Sequence, residues 1–159
     1  MINKYLPIIG LLIILLLSGC DVGEGVPSAF KGGDIFVGGD HLTFDFSQAT
    51  WSPGDDELVI DFQRASNWPN AKATISDISS IEVGDAVPCS FEIEVDQYTS
   101  YTAGPIVTGA SVTITFSRLD LHIAGAVSGT IYGHARSVEH PGESPVSLTG
   151  SFKDIIVLE

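Results

Sequence analysis

Positive charge is scarce in this chain: seven Lys and Arg stand against 20 Asp and Glu, for a net charge of −13. An electrostatic footprint for nucleic acid needs a basic face, so nucleic acid is excluded as a partner. A surface this acidic is also repelled by bare anionic headgroups. Cysteine is scarcer still, with only Cys20 and Cys89. Two thiols build neither a disulfide framework nor a cysteine-rich zinc site. Long hydrophobic runs are missing too. The longest, Leu6 to Leu17, spans about a dozen residues where a membrane-spanning helix needs roughly twenty. Helical periodicity is absent from everything that follows it.

Signatures of catalysis are equally absent. There is no G-x-S-x-G elbow; the nearest string, Gly125-Ala126-Val127-Ser128-Gly129, places its serine one position late. Neither H-E-x-x-H nor a phosphate-binding loop occurs. The four histidines, His41, His122, His134 and His140, are scattered without zinc-site spacing. No catalytic residue, cofactor site or metal site is assigned from sequence. A triad assembled across strands leaves no local trace, so enzyme status stays open, with a non-enzyme favoured.

What is present begins at the N-terminus. Lys4 supplies a positive start, Ile8 to Leu17 is apolar apart from Gly10, and small residues Ser18 and Gly19 precede Cys20. These are the parts of an export signal in their proper order. The stretch Leu17-Ser18-Gly19-Cys20 resembles the lipobox of bacterial lipoproteins. That resemblance implies cleavage before Cys20, a lipid such as palmitate on its thiol, and acylation of the new amine. Each buried methylene contributes about 0.8 kcal/mol, so one chain holds marginally while two or three hold stably. Cys20 is therefore the expected lipid-attachment site, and the protein is expected in the bacterial cell envelope, exported and held by lipid. Asp21 resembles the residue that retains lipoproteins at the inner membrane in enterobacteria, which points to its periplasmic face.

The expected organisation is a signal peptide over 1–19, a lipidated cysteine and tether over 20–33, and one domain over 34–159. The tether, "DVGEGVPSAFKGG", has four glycines and no periodicity; a flexible segment of that length spans about 20 Å. Setting aside Lys4, the exported part keeps six basic residues against all 20 acidic ones. It is long enough to bury a core unaided, and a monomeric domain is expected.

From Asp34 onward the pattern is period two. His41 to Phe46 sets Leu42, Phe44 and Phe46 on one face, and "ELVIDF" does the same with Leu58, Ile60 and Phe62. "SFEIEVD" opposes Phe91, Ile93 and Val95 to Glu92, Glu94 and Asp96; "SVTITFS" opposes Val112, Ile114 and Phe116 to Thr113 and Thr115. Such alternation marks strands with one buried face. Weaker runs cover 34–37, 72–78, 119–124, 127–134, 145–152 and 154–158. Turn residues punctuate them at 38–40, 52–55, 103–105 and 140–142. The fold class is all-β: an antiparallel β-sandwich after a cleaved signal helix, with a small β-barrel as the alternative. "SVTITFSRLDLHIAGAVSGTIYGHA" followed by "VSLTGSFKDIIVLE", residues 111 to 158, is similar to secreted bacterial β-sandwich lipoproteins, which implies fold rather than activity.

Four features carry possible chemistry. "GGDIFVGGD", residues 32 to 40, has the glycines and aspartates of a calcium repeat but lacks its middle positions, so a strand between glycine turns is the better reading. Asp55, Asp56 and Glu57, with Asp34 and Asp40, offer oxygens for calcium; solvated turns are favoured. Trp51 and Trp68 sit beside loop signals, where an indole stacks on sugars or fills a partner's pocket; closing one end of the core is favoured. Cys89 begins an apolar alternation and is expected as an inert core residue. The functional expectation is a lipid-anchored envelope protein with a binding, accessory or structural role, its partner an envelope protein or glycan. The alternative is an envelope hydrolase or carbohydrate-binding protein with a site assembled across strands; a pocket combining a histidine with convergent carboxylates would favour it.

Overall fold

The structure, a computed structural model, describes residues 33–158. The expected signal peptide, Cys20 and the tether up to residue 32 lie outside the described residues. Among the described residues no helix is long and apolar enough to cross a membrane.

Ten strands follow in order: β1 (Asp34–Val37), β2 (Asp40–Thr43), β3 (Phe46–Ser52), β4 (Glu57–Gln63), β5 (Asn70–Ser76), β6 (Ala86–Glu94), β7 (Ser100–Ala103), β8 (Val112–Leu119), β9 (Ala126–Ser137) and β10 (Val146–Leu158). The all-β expectation holds. Alternation forms the strands as expected: Leu58, Ile60 and Phe62 of β4 are fully buried, as are Ile114 and Phe116 of β8, with Val112 almost so. In β6, Phe91 and Ile93 are buried while Glu92 and Glu94 are exposed. Val95 is only half-buried, because it lies beyond the end of that strand.

Pairing closes the sheet on itself. β3, β4, β5 and β6 pair in succession, β6 pairs with β8, β8 with β9, and β9 with β10. A short parallel contact, Val157 to Ala49 and Leu158 to Thr50, returns from β10 to β3. The ring has seven strands, which favours the barrel over the preferred sandwich. Two long strands make the difference. β6 gives its first half, from Ala86 to Cys89, to β8 and its second half, from Phe91 to Glu94, to β7. β10 runs beside β1 and β9, then bends at a bulge between Phe152 and Ile155 to reach β3. Bulges of this kind turn barrel corners by adding local twist. Here Asp154 takes a positive φ of 51°, and its N–H donates to Ser128 Oγ at 2.8 Å. Arg118, beside the irregularity in β8, contacts the Asp154 carboxylate at 3.2 Å.

Three strand expectations need correction. The run 41–46 is interrupted at Phe44 and Asp45, so Phe44 is buried but belongs to the connection into β3. Of the run 119–124 only Leu119 is in a strand, as the end of β8; residues 120–124 form the turn that follows. Gly125 N–H bonds His122 O at 2.7 Å, Ala124 has φ 62°, and a Cβ at position 125 would sit 2.5 Å from Asp120 O. The runs 145–152 and 154–158 are one strand, joined through the bulge.

The interior is apolar. Phe44, Phe62, Phe152 and Phe116 form a tilted and edge-to-face chain with centroids 5.7, 6.0 and 6.2 Å apart. Gly133 lets β9 cross β8 closely: a Cβ there would meet Ser111 O at 2.1 Å. The β1–β2 hairpin lies outside the ring against β10. β1 pairs Asp34 with Ser151 and Val37 with Leu148, so it runs toward the barrel end where β10 begins. That end also carries the β4–β5 loop and the turn from β6 to β7.

Candidate functional site

Three strands place charged side chains in register on the barrel's outer wall. Asp61 of β4 lies opposite Lys72 of β5, and Lys72 opposite Glu92 of β6. One step toward the barrel end, Asn70 lies opposite Glu94. Side chains on one face of neighbouring strands sit about 5 Å apart, so this row is a continuous polar floor.

The β4–β5 loop rises over that floor. Ala65 N–H donates to the Asp45 carboxylate at 3.0 Å, Ser66 Oγ donates to Trp68 O at 3.2 Å, and the Asn70 amide donates to Asn67 O. Asn67 adopts φ 55°, a conformation asparagine tolerates better than most residues, and the Trp68-Pro69 peptide is cis. Pro69 is buried, whereas Trp68 remains 37% exposed. Trp68 is thus partly covered by its loop and partly open at the surface.

Floor and loop enclose an open cleft of about 620 Å³ lined by Asp61, Gln63, Arg64, Asn67, Trp68 and Asn70, with Lys72, Glu92 and Glu94. A second hollow of about 210 Å³ shares Trp68 and Glu94 and continues to Asp96, Gln97 and Glu139. Trp68 therefore stands between two hollows of one groove. At its far wall the Glu139 carboxylate accepts hydrogen bonds from Ser100 Oγ at 2.6 Å, Ser100 N–H at 3.1 Å and Ser137 Oγ at 3.3 Å. The Ser100 hydroxyl first, then backbone N–H groups, favour its charged form and hold its pKa down to about 2. Glu139 stays ionised in the groove.

The residues singled out in the sequence fall elsewhere, apart from Trp68. Trp51 packs against the core at the opposite barrel end, beside a mostly apolar notch of about 270 Å³ formed with Pro53, Leu121, His122, Ile123 and Leu158. Trp51 therefore partly closes an end of the core as expected; Trp68 does not. Cys89 is buried, 3.7 Å from Val112 O, and burial pushes its thiol up to about 12. It lacks the electropositive surroundings of a reactive thiol.

Of the acidic candidates, Asp55 and Asp56 are occupied by hydrogen bonds at turns, and Glu57 is half-buried at the start of β4. Asp55 accepts from Ser52 Oγ at 2.7 Å, and Asp56 accepts from Ser79 N–H and Oγ at 3.0 and 2.7 Å. Asp34 faces His41 at 3.0 Å across the β1–β2 hairpin, while Asp40 is exposed at its turn. Among the described residues no three His, Cys, Asp or Glu side chains converge as a metal site.

The histidines are equally dispersed. His41 stacks on Phe36 with centroids 4.4 Å apart. His122 bonds Asp120 at 3.0 Å and, chiefly through that side-chain hydrogen bond, lowers the Asp120 pKa. His134 and His140 are exposed. None of the four lines the groove among the described residues.

Sequence reasoning missed Asp61, Gln63, Arg64, Asn67, Asn70 and Lys72 as site residues, and gave Glu92 and Glu94 only as a solvated face. The alternation did place Glu92 and Glu94 outward. Nothing local showed that β5 would bring Lys72 between Asp61 and Glu92. No family model matches this chain, and no curated protein or solved structure shows significant similarity to it.

Proposed function

We propose that this is an exported bacterial lipoprotein of the cell envelope, held to its membrane by acyl chains on Cys20, whose barrel acts by binding in the Trp68 groove. The observation that carries the binding role is the exposed indole standing between two hollows floored by a charged row from three strands. Pockets where a few polar groups converge beside an aromatic surface are the usual places for ligands. The lipobox-like stretch and its export signal support the address. Asp21 supports the periplasmic face of the inner membrane.

With a net charge of −13, lipid rather than headgroup attraction supplies the attachment. No histidine lines the groove among the described residues, so a hydrolytic role there would rest on its carboxylates alone.

The test is site-specific photocrosslinking in intact cells. A photoreactive residue in place of Asn67, at the groove rim, should form a covalent adduct seen as a mass shift. One in place of Tyr132, exposed on β9, should not. Equal adduct formation at the two positions, or none at either, would overturn the groove as the binding site.

A further inference from the structure

The geometry points to a saccharide as the ligand of the Trp68 groove, specifically one built from neutral or amino-bearing sugars rather than acidic ones. This inference rests on the groove being the binding site and adds the chemical class of what it takes.

Three observations lead there. The first is the indole. A pyranose has a face of C–H bonds carrying slight positive charge, and an aromatic ring carries negative charge on its face, so the two pack together. The ring must be exposed yet fixed in place. Trp68 is 37% exposed, and its loop is tied to Asp45 at Ala65, to itself through Ser66, and to β5 through Asn70. An indole held this way gives up little conformational entropy when a ring stacks on it.

The second is the kind of polar group around it. Adjacent sugar hydroxyls are recognised by planar side chains that present two oxygens, or an oxygen and an N–H₂, side by side. The groove supplies amides at Gln63, Asn67, Asn70 and Gln97, and carboxylates at Glu92 and Glu94. Two hollows of about 620 and 210 Å³ meet there, sharing Trp68 and Glu94. This shape suits a chain of rings with one ring stacked on Trp68 and neighbours on either side.

The third is charge. Across both hollows, carboxylates at Asp61, Glu92, Glu94, Asp96 and Glu139 face only two cations, Arg64 and Lys72. Lys72 itself sits between Asp61 and Glu92 in register, with a carboxylate on the strand at either side. A uronate or a phosphate-bearing glycan would enter an excess of like charge, whereas a neutral hydroxyl or an ammonium group would not.

Binding is measured with the full-length protein extracted in detergent. The probes are oligomers of glucose, of N-acetylglucosamine, of glucosamine and of galacturonic acid. Tryptophan fluorescence and calorimetry report the affinities. At least one of the three neutral or amino-bearing oligomers should bind and shift the emission, and the galacturonate oligomer should not. Trp68→Ala should weaken binding about tenfold or more, as expected when an anchor of a binding site is removed. Trp68→Phe should recover most of it, and Trp51→Phe should leave affinity unchanged. Failure of all three to bind, preference for the acidic oligomer, or undiminished binding by Trp68→Ala would each overturn the saccharide assignment. If position 67 still forms its adduct in cells when no oligomer binds, the class of ligand is wrong and the groove stands. If the adduct is missing as well, both fall.

Discussion

Replacing Ile93 by Ala tests the barrel wall at the place where the sequence is most explicit about inside and outside. Ile93 is 1% exposed on the inner face of β6, opposite Ala71 on one neighbour and Tyr101 on the other. The substitution removes three buried carbons, about 2.4 kcal/mol at 0.8 kcal/mol per methylene. Because β6 is hydrogen-bonded on both sides, the wall has little freedom to collapse into the space, and an unfilled cavity adds to the cost. The total should be about 3–4 kcal/mol, within the range measured for such truncations. For a domain of this size that lowers Tm by roughly 10–15 °C. Glu92, one residue earlier, faces solvent beside Lys72 and Thr102. Glu92→Ala should change stability by about 0.5 kcal/mol or less. Both variants are compared by urea and thermal unfolding in the lipid-free Cys20→Ser background. Equal losses at the two positions would refute the assignment of β6 as a one-sided wall strand, and with it the ring closure that runs through β6.

Three further outcomes follow from the same geometry. Cys89 should resist alkylation at pH 8 in the native protein and react on unfolding. Because the thiol rises from 9.0 to about 12 on folding, the unfolded chain loses its proton first between those values. Stability should therefore fall across that pH window, and more steeply in the parent protein than in Cys89→Ala. Glu139 behaves in the opposite sense: its carboxyl is depressed from 4.5 to about 2, so its contribution is complete above 4.5 and is lost as pH falls toward 2. Loosening of the Ser100 amide, followed by NMR, should track that window and be absent in Glu139→Gln. Millimolar calcium or chelator should leave Tm unchanged, since Asp55 and Asp56 are engaged by Ser52 and Ser79; a clear calcium-dependent rise would restore them as ligands.

Strand content was readable because alternation is a local property. Residues 58–62 and 112–116 announce their buried faces within a few positions. β3 was not readable. "FSQATWS" puts only Ser47 and Ala49 fully inside, so hydrophobicity does not mark it. Ring closure was hidden for another reason: it depends on which strand each half of β6 and β10 meets, and on the bulge at Asp154, whose cap is Ser128. Neither is encoded in spacing. The groove shared that fate. Trp68 stood out by residue type, but its surroundings come from the registers of β4, β5 and β6, which bring Asp61, Lys72 and Glu92 together from distant positions in the chain. The turn at 120–124, where the pattern suggested a strand, is fixed by Gly125, whose missing Cβ makes room for Asp120.

The most direct test of the account is at Cys20, because address and anchoring both depend on it. Cells expressing the wild-type chain or Cys20→Ser are labelled with a fatty acid analogue and separated into membrane and soluble fractions. Wild type should carry the label, sediment with membranes, and be released from them by detergent but not by high salt. Cys20→Ser should carry no label and be either soluble or retained as uncleaved precursor. Label that persists after the substitution, or a processed and unlabelled wild-type protein found in the soluble fraction, would contradict a lipid-anchored envelope protein.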